Sequence, residues 1–211
     1  QQVAQVNPDL ILVSCFPYKF HGNLLDLPRR GCWNLHPSLL PHFRGPSPLF
    51  WAFWEGQNDT GVTLHQMDAG LDTGDILKQT SFRLADGVSG PAAEQQLAEL
   101  GSQLILQALA DLAEDTLTSQ PQPAGGSYYP LPNSDDFRLD TSWSARQAFN
   151  FMRGTAVWGQ PYVVEVGAEE LWLATAISFQ PDQRQKEPVA RDGRIVSIQF
   201  TPGILTALSL T

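Results

Sequence analysis

Residues 34–45 read NLHPSLLPHFRG, with an Asn and a His two positions apart. In extended backbone, residues i and i+2 point to the same side. As a strand, this stretch puts Asn34 and His36 on one face, and Pro37 ends the strand directly beyond them. That is where ligands gather in open α/β sheets, outside the carboxyl ends of strands. The amide of Asn34 donates hydrogen bonds, and His36 donates a hydrogen bond or a proton near neutral pH. Such a pair suits a carbonyl oxygen that gains negative charge. Alone, the pair reads more readily as a strand cap and a satisfied core histidine, since three letters carry little specificity.

The second stretch is MDAGLDTGD, residues 67–75, with Asp68, Asp72 and Asp75 in a Gly-punctuated loop between two strands. A carboxylate here can orient His36 and stabilise its charged form. The bland alternatives are a solvated acidic turn or a cation loop, but the spacing does not match a calcium-binding EF-hand. His65 shares a strand face with Thr63 and reads as structural or supporting, while His21 and His42 fall in loops. The four histidines lack zinc spacing, so no metal is expected. Ser38 sits in a Pro-bounded turn without the elbow that a nucleophilic serine needs.

These residues need a scaffold. DLILVSC, 9–15, is a continuous apolar run that reads as a strand buried on both faces, and GCWNLH, 31–36, as the next strand. Strand, crossover and strand give an α/β sheet. A helix is expected over SPLFWAFWEG, 47–56, capped by Ser47 and ended by Gly56. GVTLHQM, 61–67, alternates like a strand, and GDILKQTSFRL, 74–84, holds one or two more. Leu97, Leu100, Leu104, Ala108 and Leu112 recur at helical spacing, which predicts a helix from about Pro91 to Asp115.

The stretch 120–136, rich in Pro and Gly, reads as a linker. A short helix over 141–154, capped by Thr141 or Ser142, follows it, and then short strands with tight turns that suggest a small β-barrel or sandwich.

Composition narrows the partners. The chain has 211 residues and a formal net charge of −9. Residues 1–132 hold 6 basic and 13 acidic groups, and residues 133–211 hold 7 and 9. Neither part offers the basic face of a nucleic-acid binder, so DNA is not expected as a partner. No apolar run approaches membrane-spanning length. Cys15 and Cys32 are no disulfide framework and read as two buried thiols in adjacent strands, in a reducing compartment such as the cytoplasm.

NLHPSLLPHFRG followed by GVTLHQMDAGLDTGDIL resembles the catalytic core of the 10-formyltetrahydrofolate-dependent formyltransferases, most closely the methionyl-tRNA branch. NPDLILVSCFPYKF resembles the strand and loop before the catalytic Asn. The resemblance implies a Rossmann-like catalytic domain over 1–119, a linker over 120–136 and a small, OB-like β-barrel domain over 137–211. It also implies that the first strands and helices of the catalytic domain are missing, roughly 60 residues or more. The remaining sheet is then expected to have an unprotected face and edge, and 1–211 alone is not expected to be a robust enzyme.

The resemblance assigns Asn34, His36 and Asp72 as the catalytic triad. It implies a formyl donor, 10-formyltetrahydrofolate, held around Phe16, Tyr18 and Phe20 on one side and Met67, Asp68 and Ala69 on the other. Arg44, with Ser38 beside it, is expected to position substrate. Asn34 and His36 would stabilise the oxyanion while Asp72 supports His36 and relays the amine proton.

LDTGDIL favours the methionyl amine of charged initiator tRNA as acceptor, and so a part in translation initiation. GVTLH and PLFWAFW look more like the amino-sugar nucleotide enzymes, and a non-catalytic folate-binding protein is the other class left open.

Overall fold

A computed structural model of the chain describes residues 2–16, 18–20 and 22–210. Its residues gather in two compact units. The first takes Gln1–Leu49, Asp59–Arg83 and Glu94–Leu131, and the second takes Phe50–Asn58, Leu84–Ala93 and Pro132–Thr211. His21, read from sequence as a loop residue, lies outside the described residues.

In the first unit, helix α1 (Gln2–Val6) precedes strand β1 (Ile11–Ser14), and a crossover with α2 (Gly22–Leu25) leads to β2 (Cys32–His36). β1 and β2 run parallel, as the sequence pattern predicts. Helix α3 (Pro48–Trp54) starts in this unit and passes into the second at Phe50. β3 (Asp59–Gln66) and β4 (Ile76–Arg83) then add antiparallel strands, giving the order β1-β2-β3-β4. Helix α4 (Gly90–Ala113) supplies the apolar stripe. Trp33, Leu64 and Ala108 form a buried core, joined by Leu35, Leu77, Ile105 and Leu112.

Two strands differ from their sequence patterns. β1 was expected to be buried on both faces, yet it is an edge strand with Leu12 45% exposed. β3 was expected to alternate, yet Thr60 through His65 are all buried. β3 is central, and its outer face is covered by the turn after His36. The Thr63 hydroxyl donates to the Ser38 carbonyl at 2.6 Å and accepts from the Leu40 N–H at 3.2 Å. The pair of buried thiols is also corrected: Cys32 is buried, but Cys15 is exposed.

The second unit holds β5 (Arg138–Leu139), α5 (Ala145–Thr155), β6 (Tyr162–Val166), β7 (Glu169–Gln180), β8 (Val189–Asp192), β9 (Ile195–Gln199) and β10 (Ile204–Ser209). They form one sheet in the order β5-β6-β7-β10-β9-β8. β5 and β8 are its edges, and among the described residues no ladder joins them. The sheet is open where a barrel was expected. Ser144 caps α5, its side chain accepting from the Gln147 N–H. Neither Thr141 nor Ser142 takes that place, because the Ser142 N–H donates to Asp140 in a turn one step earlier. The aromatic face of α3 is core here: Phe50 packs on Phe137 at 5.3 Å and on Phe151 at 5.4 Å.

Gly101 lets α4 approach β2, since a Cβ there would run into the Leu35 side chain. Ala normally favours a helix interior over Gly, but overpacking costs typically 1–3 kcal/mol. Gly101→Ala is therefore expected to destabilise the protein by about 1–2 kcal/mol in urea unfolding, and a gain in stability would contradict this packing.

Candidate active site

The register of β2 against β3 builds the site. Asn34 is the cross-strand partner of His65, and His36 that of Thr63. Asn34 and His36 share a face, and Asp72 comes to both from the loop between β3 and β4. Asn34 Nδ2 donates to Asp72 Oδ1 at 3.3 Å, and His36 Nδ1 lies 3.8 Å from Asp72 Oδ2. The main-chain N–H of Gly45 donates to Asp72 Oδ2 at 2.9 Å. The fourth neighbour is His65, whose Nε2 is 3.7 Å from Asp72 Oδ1 and 3.2 Å from Asn34 Nδ2.

Carbonyl partners fix both rings. His36 Nε2 faces the Phe43 carbonyl at 2.9 Å, and a carbonyl only accepts, so Nε2 carries the proton. The neutral ring then offers only Nδ1, as a base facing Asp72. His65 Nδ1 faces the Gln66 carbonyl at 3.0 Å and carries the proton for the same reason. His65 Nε2 is left to accept from Asn34. Both N–H bonds of Asn34 thus have partners, but at long distances, and an oxygen gaining charge competes well for one of them.

Burial and neighbours act differently on the two titrating groups. His36 is 4% exposed, and burial pushes its pKa down, outweighing the pull of Asp72 and of the Phe43 carbonyl. For Asp72, burial alone would push the carboxyl up. His65, His36 and the Gly45 N–H together outweigh it and hold the carboxyl below its ordinary value.

A cleft opens beside this group. Asn34, His65 and Asp72 line it, with Phe16, Tyr18 and Phe20 on one side and Met67, Asp68 and Leu71 on the other. Phe16 meets Phe20 edge to face at 5.3 Å and Tyr18 at 5.6 Å. Ala69 is exposed in the same loop without lining the cleft. Asp68 closes its own turn, accepting from the Gly70 N–H at 2.9 Å and from Thr73 Oγ1 at 2.7 Å.

Two expected substrate contacts take other places. Ser38 is fully buried, and its hydroxyl donates to the His42 carbonyl at 2.8 Å. Arg44 donates to Gln122. Neither lines the cleft. His65 was read as structural or supporting, and its contact with Asn34 and Asp72 is visible only once the β2–β3 register is known.

Comparison with known proteins gives three findings. The family description "Formyl transferase" matches residues 1–109. A methionyl-tRNA formyltransferase from Geobacter metallireducens is 38% identical over 76% of this chain and 52% of its own length. The chain spans about half the length of the curated relatives it matches. Among solved structures, the formyltransferase PseJ from Anoxybacillus kamchatkensis was determined with UDP-4,6-dideoxy-4-formamido-L-AltNAc and tetrahydrofolate. It is 30% identical, with a TM-score of 0.54 over 58% of this chain and 65% of its own. WlaRD, a sugar 3N-formyl transferase solved in the presence of dTDP and 5-N-formyl-THF, has a TM-score of 0.77 over 99% of this chain and 76% of its own, at 16% identity. That last likeness is one of fold, and it makes the first unit a Rossmann-like α/β domain.

The pKa directions predict a two-stage loss of stability in acid. An unfolded His36 takes a proton below about pH 6.5, whereas the folded ring resists it. The unfolded state then binds more protons, so stability falls as pH drops below that value and until the folded ring also protonates. Asp72 contributes stability above its ordinary value of 3.8, which is lost as pH falls through its lower folded value. Urea unfolding at pH 7.5 and pH 5 is expected to show a smaller difference for His36→Gln than for wild type. An equal difference in both would mean that the ring is not held neutral.

Proposed function

The chain belongs to the formyl transferase family, and from that premise we propose that the protein transfers a formyl group from 10-formyltetrahydrofolate to a primary amine. What supports this most is one arrangement: Asn34, His36 and Asp72 converge beside a cleft with an aromatic wall. A flat ring suits that wall. Phe16, Tyr18 and Phe20 would hold the pterin on one side, and Met67, Asp68 and Leu71 would bound it on the other, with Ala69 outside the wall.

The folate supplies the formyl carbon. A carbon–nitrogen bond forms to the acceptor amine as the one to the folate nitrogen breaks. The acceptor amine loses a proton, and the departing folate nitrogen gains one. Asn34 turns one N–H from His65 toward the formyl oxygen as that oxygen gains charge. Asp72, which lines the cleft, takes the amine proton directly or through water. His36 Nδ1, the unprotonated nitrogen of a ring that burial keeps neutral, faces Asp72 and can accept the proton in passing. In this reading residues 1–119 carry the chemistry, 120–136 connect, and 137–211 are the family's small C-terminal β domain. The work is cytoplasmic.

The favoured acceptor is the methionyl amine of charged initiator tRNA, because the curated relatives at 34–38% identity bear that name. An amino-sugar nucleotide is the second reading, supported by the 30% identity to PseJ and its UDP-sugar complex.

In the full-length protein, Asn34→Ala is expected to lower the rate of transfer about 10²–10³-fold, as loss of one oxyanion donor does. His36→Ala and Asp72→Ala are expected to lower it about 10²–10⁴-fold, the usual share of positioned acid–base groups. Circular dichroism should show all three folded. Near-normal turnover in His36→Ala would contradict the assignment. Formylation of charged initiator tRNA, and not of a nucleotide-linked amino sugar, is the expected acceptor result, and the reverse would select the second reading.

A further inference from the structure

Gln122 lies in the Pro- and Gly-rich segment after α4 that reads from sequence as a linker. Its side chain joins three parts of the first unit. Nε2 donates to the main-chain carbonyls of Asp72 and Gly74, at 2.8 Å each. Oε1 accepts from Arg44, from Nε at 3.2 Å and from Nη2 at 2.7 Å. A primary amide has two donor hydrogens and two acceptor lone pairs, and all four are used here.

The direction of the amide is determined. A guanidinium only donates, so Arg44 holds Oε1 toward itself and turns Nε2 toward the two carbonyls. The same segment is stitched down on both sides. Gln120 and Ile76 exchange main-chain hydrogen bonds at 2.8 and 2.9 Å. The Arg44 N–H donates to the Ser127 carbonyl, and the Tyr129 N–H to the Arg44 carbonyl, both at 2.9 Å.

What these bonds hold is an uncommon backbone. Asp72 has φ +54°, in the left-handed region that costs a side-chain-bearing residue free energy. Such a conformation persists only when its surroundings over-determine it. Gly45, which donates to Asp72 Oδ2, sits at φ +112° beside Arg44. The brace therefore acts on both the carboxylate and one of its donors.

We propose that Gln122 is a positioning residue for Asp72, and that Arg44 acts by orienting Gln122 rather than by touching substrate. The role in catalysis rests on the formyl-transfer reading. The brace sets where the Asp72 carboxyl stands among Asn34, His36, His65 and the Gly45 N–H, the groups that face it.

The test uses Gln122→Glu, Gln122→Leu and Arg44→Ala in the full-length protein. Gln122→Glu keeps size and an acceptor for Arg44, but it sets an oxygen against the two carbonyls. Gln122→Leu removes all four bonds. Both are expected to lower kcat about 10–100-fold, the scale of a small misplacement of a reacting group, with the KM for the formyl donor little changed. The acid limb of the kcat–pH profile is expected to move to higher pH, because Asp72 leaves the donors that hold its carboxyl low. Arg44→Ala is expected to lower kcat in the wild-type background and to add little in Gln122→Leu, as coupled neighbours do.

Wild-type kcat and an unmoved acid limb in Gln122→Glu would overturn the proposal. So would full additivity of Arg44→Ala with Gln122→Leu, together with a raised KM for the acceptor, which would make Arg44 a substrate contact. Carboxyl ¹³C NMR of Asp72 reads the brace without activity, and its titration midpoint is expected to rise in both Gln122 variants. A wild-type protein that transfers no formyl group would overturn the reaction and leave the brace to this titration. An unmoved midpoint in both variants would then overturn the brace.

Discussion

A carboxylate with only a tenth of its side-chain surface exposed needs partners, and the first unit is arranged to supply them to Asp72. Taking a charge out of water is costly unless donors replace the lost hydration. The Gly45 N–H and the Asn34 amide donate to this one, and the rings of His36 and His65 stand beside it. They come from β2, from β3 and from the turn that follows β2. Burial pushes the carboxyl up, but His65, His36 and the Gly45 N–H together outweigh it and hold the carboxyl below its ordinary value. The same surroundings that stabilise the charge place it beside a cleft.

That arrangement explains features that look unrelated. The SLLP turn folds back over β3 because Thr63 receives it, and this delivers Gly45 to Asp72. Two carbonyl oxygens, those of Phe43 and Gln66, fix which nitrogen of each ring holds the proton. The segment after α4 returns to the site and braces the loop from outside. Each contact is modest alone, but together they hold an Asp at positive φ.

That Asn34, His36 and Asp72 come together was partly legible in local pattern. Asn34 and His36 have strand spacing, and Asp72 stands in a loop punctuated by Gly. His65 was not legible as a site residue, because its place depends on facing Asn34 across two strands, and periodicity does not give register. Gln122 was hidden further: its segment has linker composition, and only the tertiary return of the chain gives it work. The exposed face of β1 is not encoded by its apolar run, which does not say what covers the strand, though an unprotected sheet face was itself expected. The C-terminal strands were visible in their alternation, but the open sheet was not, since closure depends on whether β5 meets β8. The α5 cap moved to Ser144 because Asp140 had already engaged Ser142.

The proposed formyl transfer depends on one carboxylate charge held beside the cleft. Asp72→Asn keeps the shape and removes the charge, so single-turnover formyl transfer at saturating donor and acceptor tests the claim most directly. The account predicts a fall of about 10²-fold or more, with binding of the folate donor retained. A variant that transfers the formyl group at the wild-type rate would contradict it.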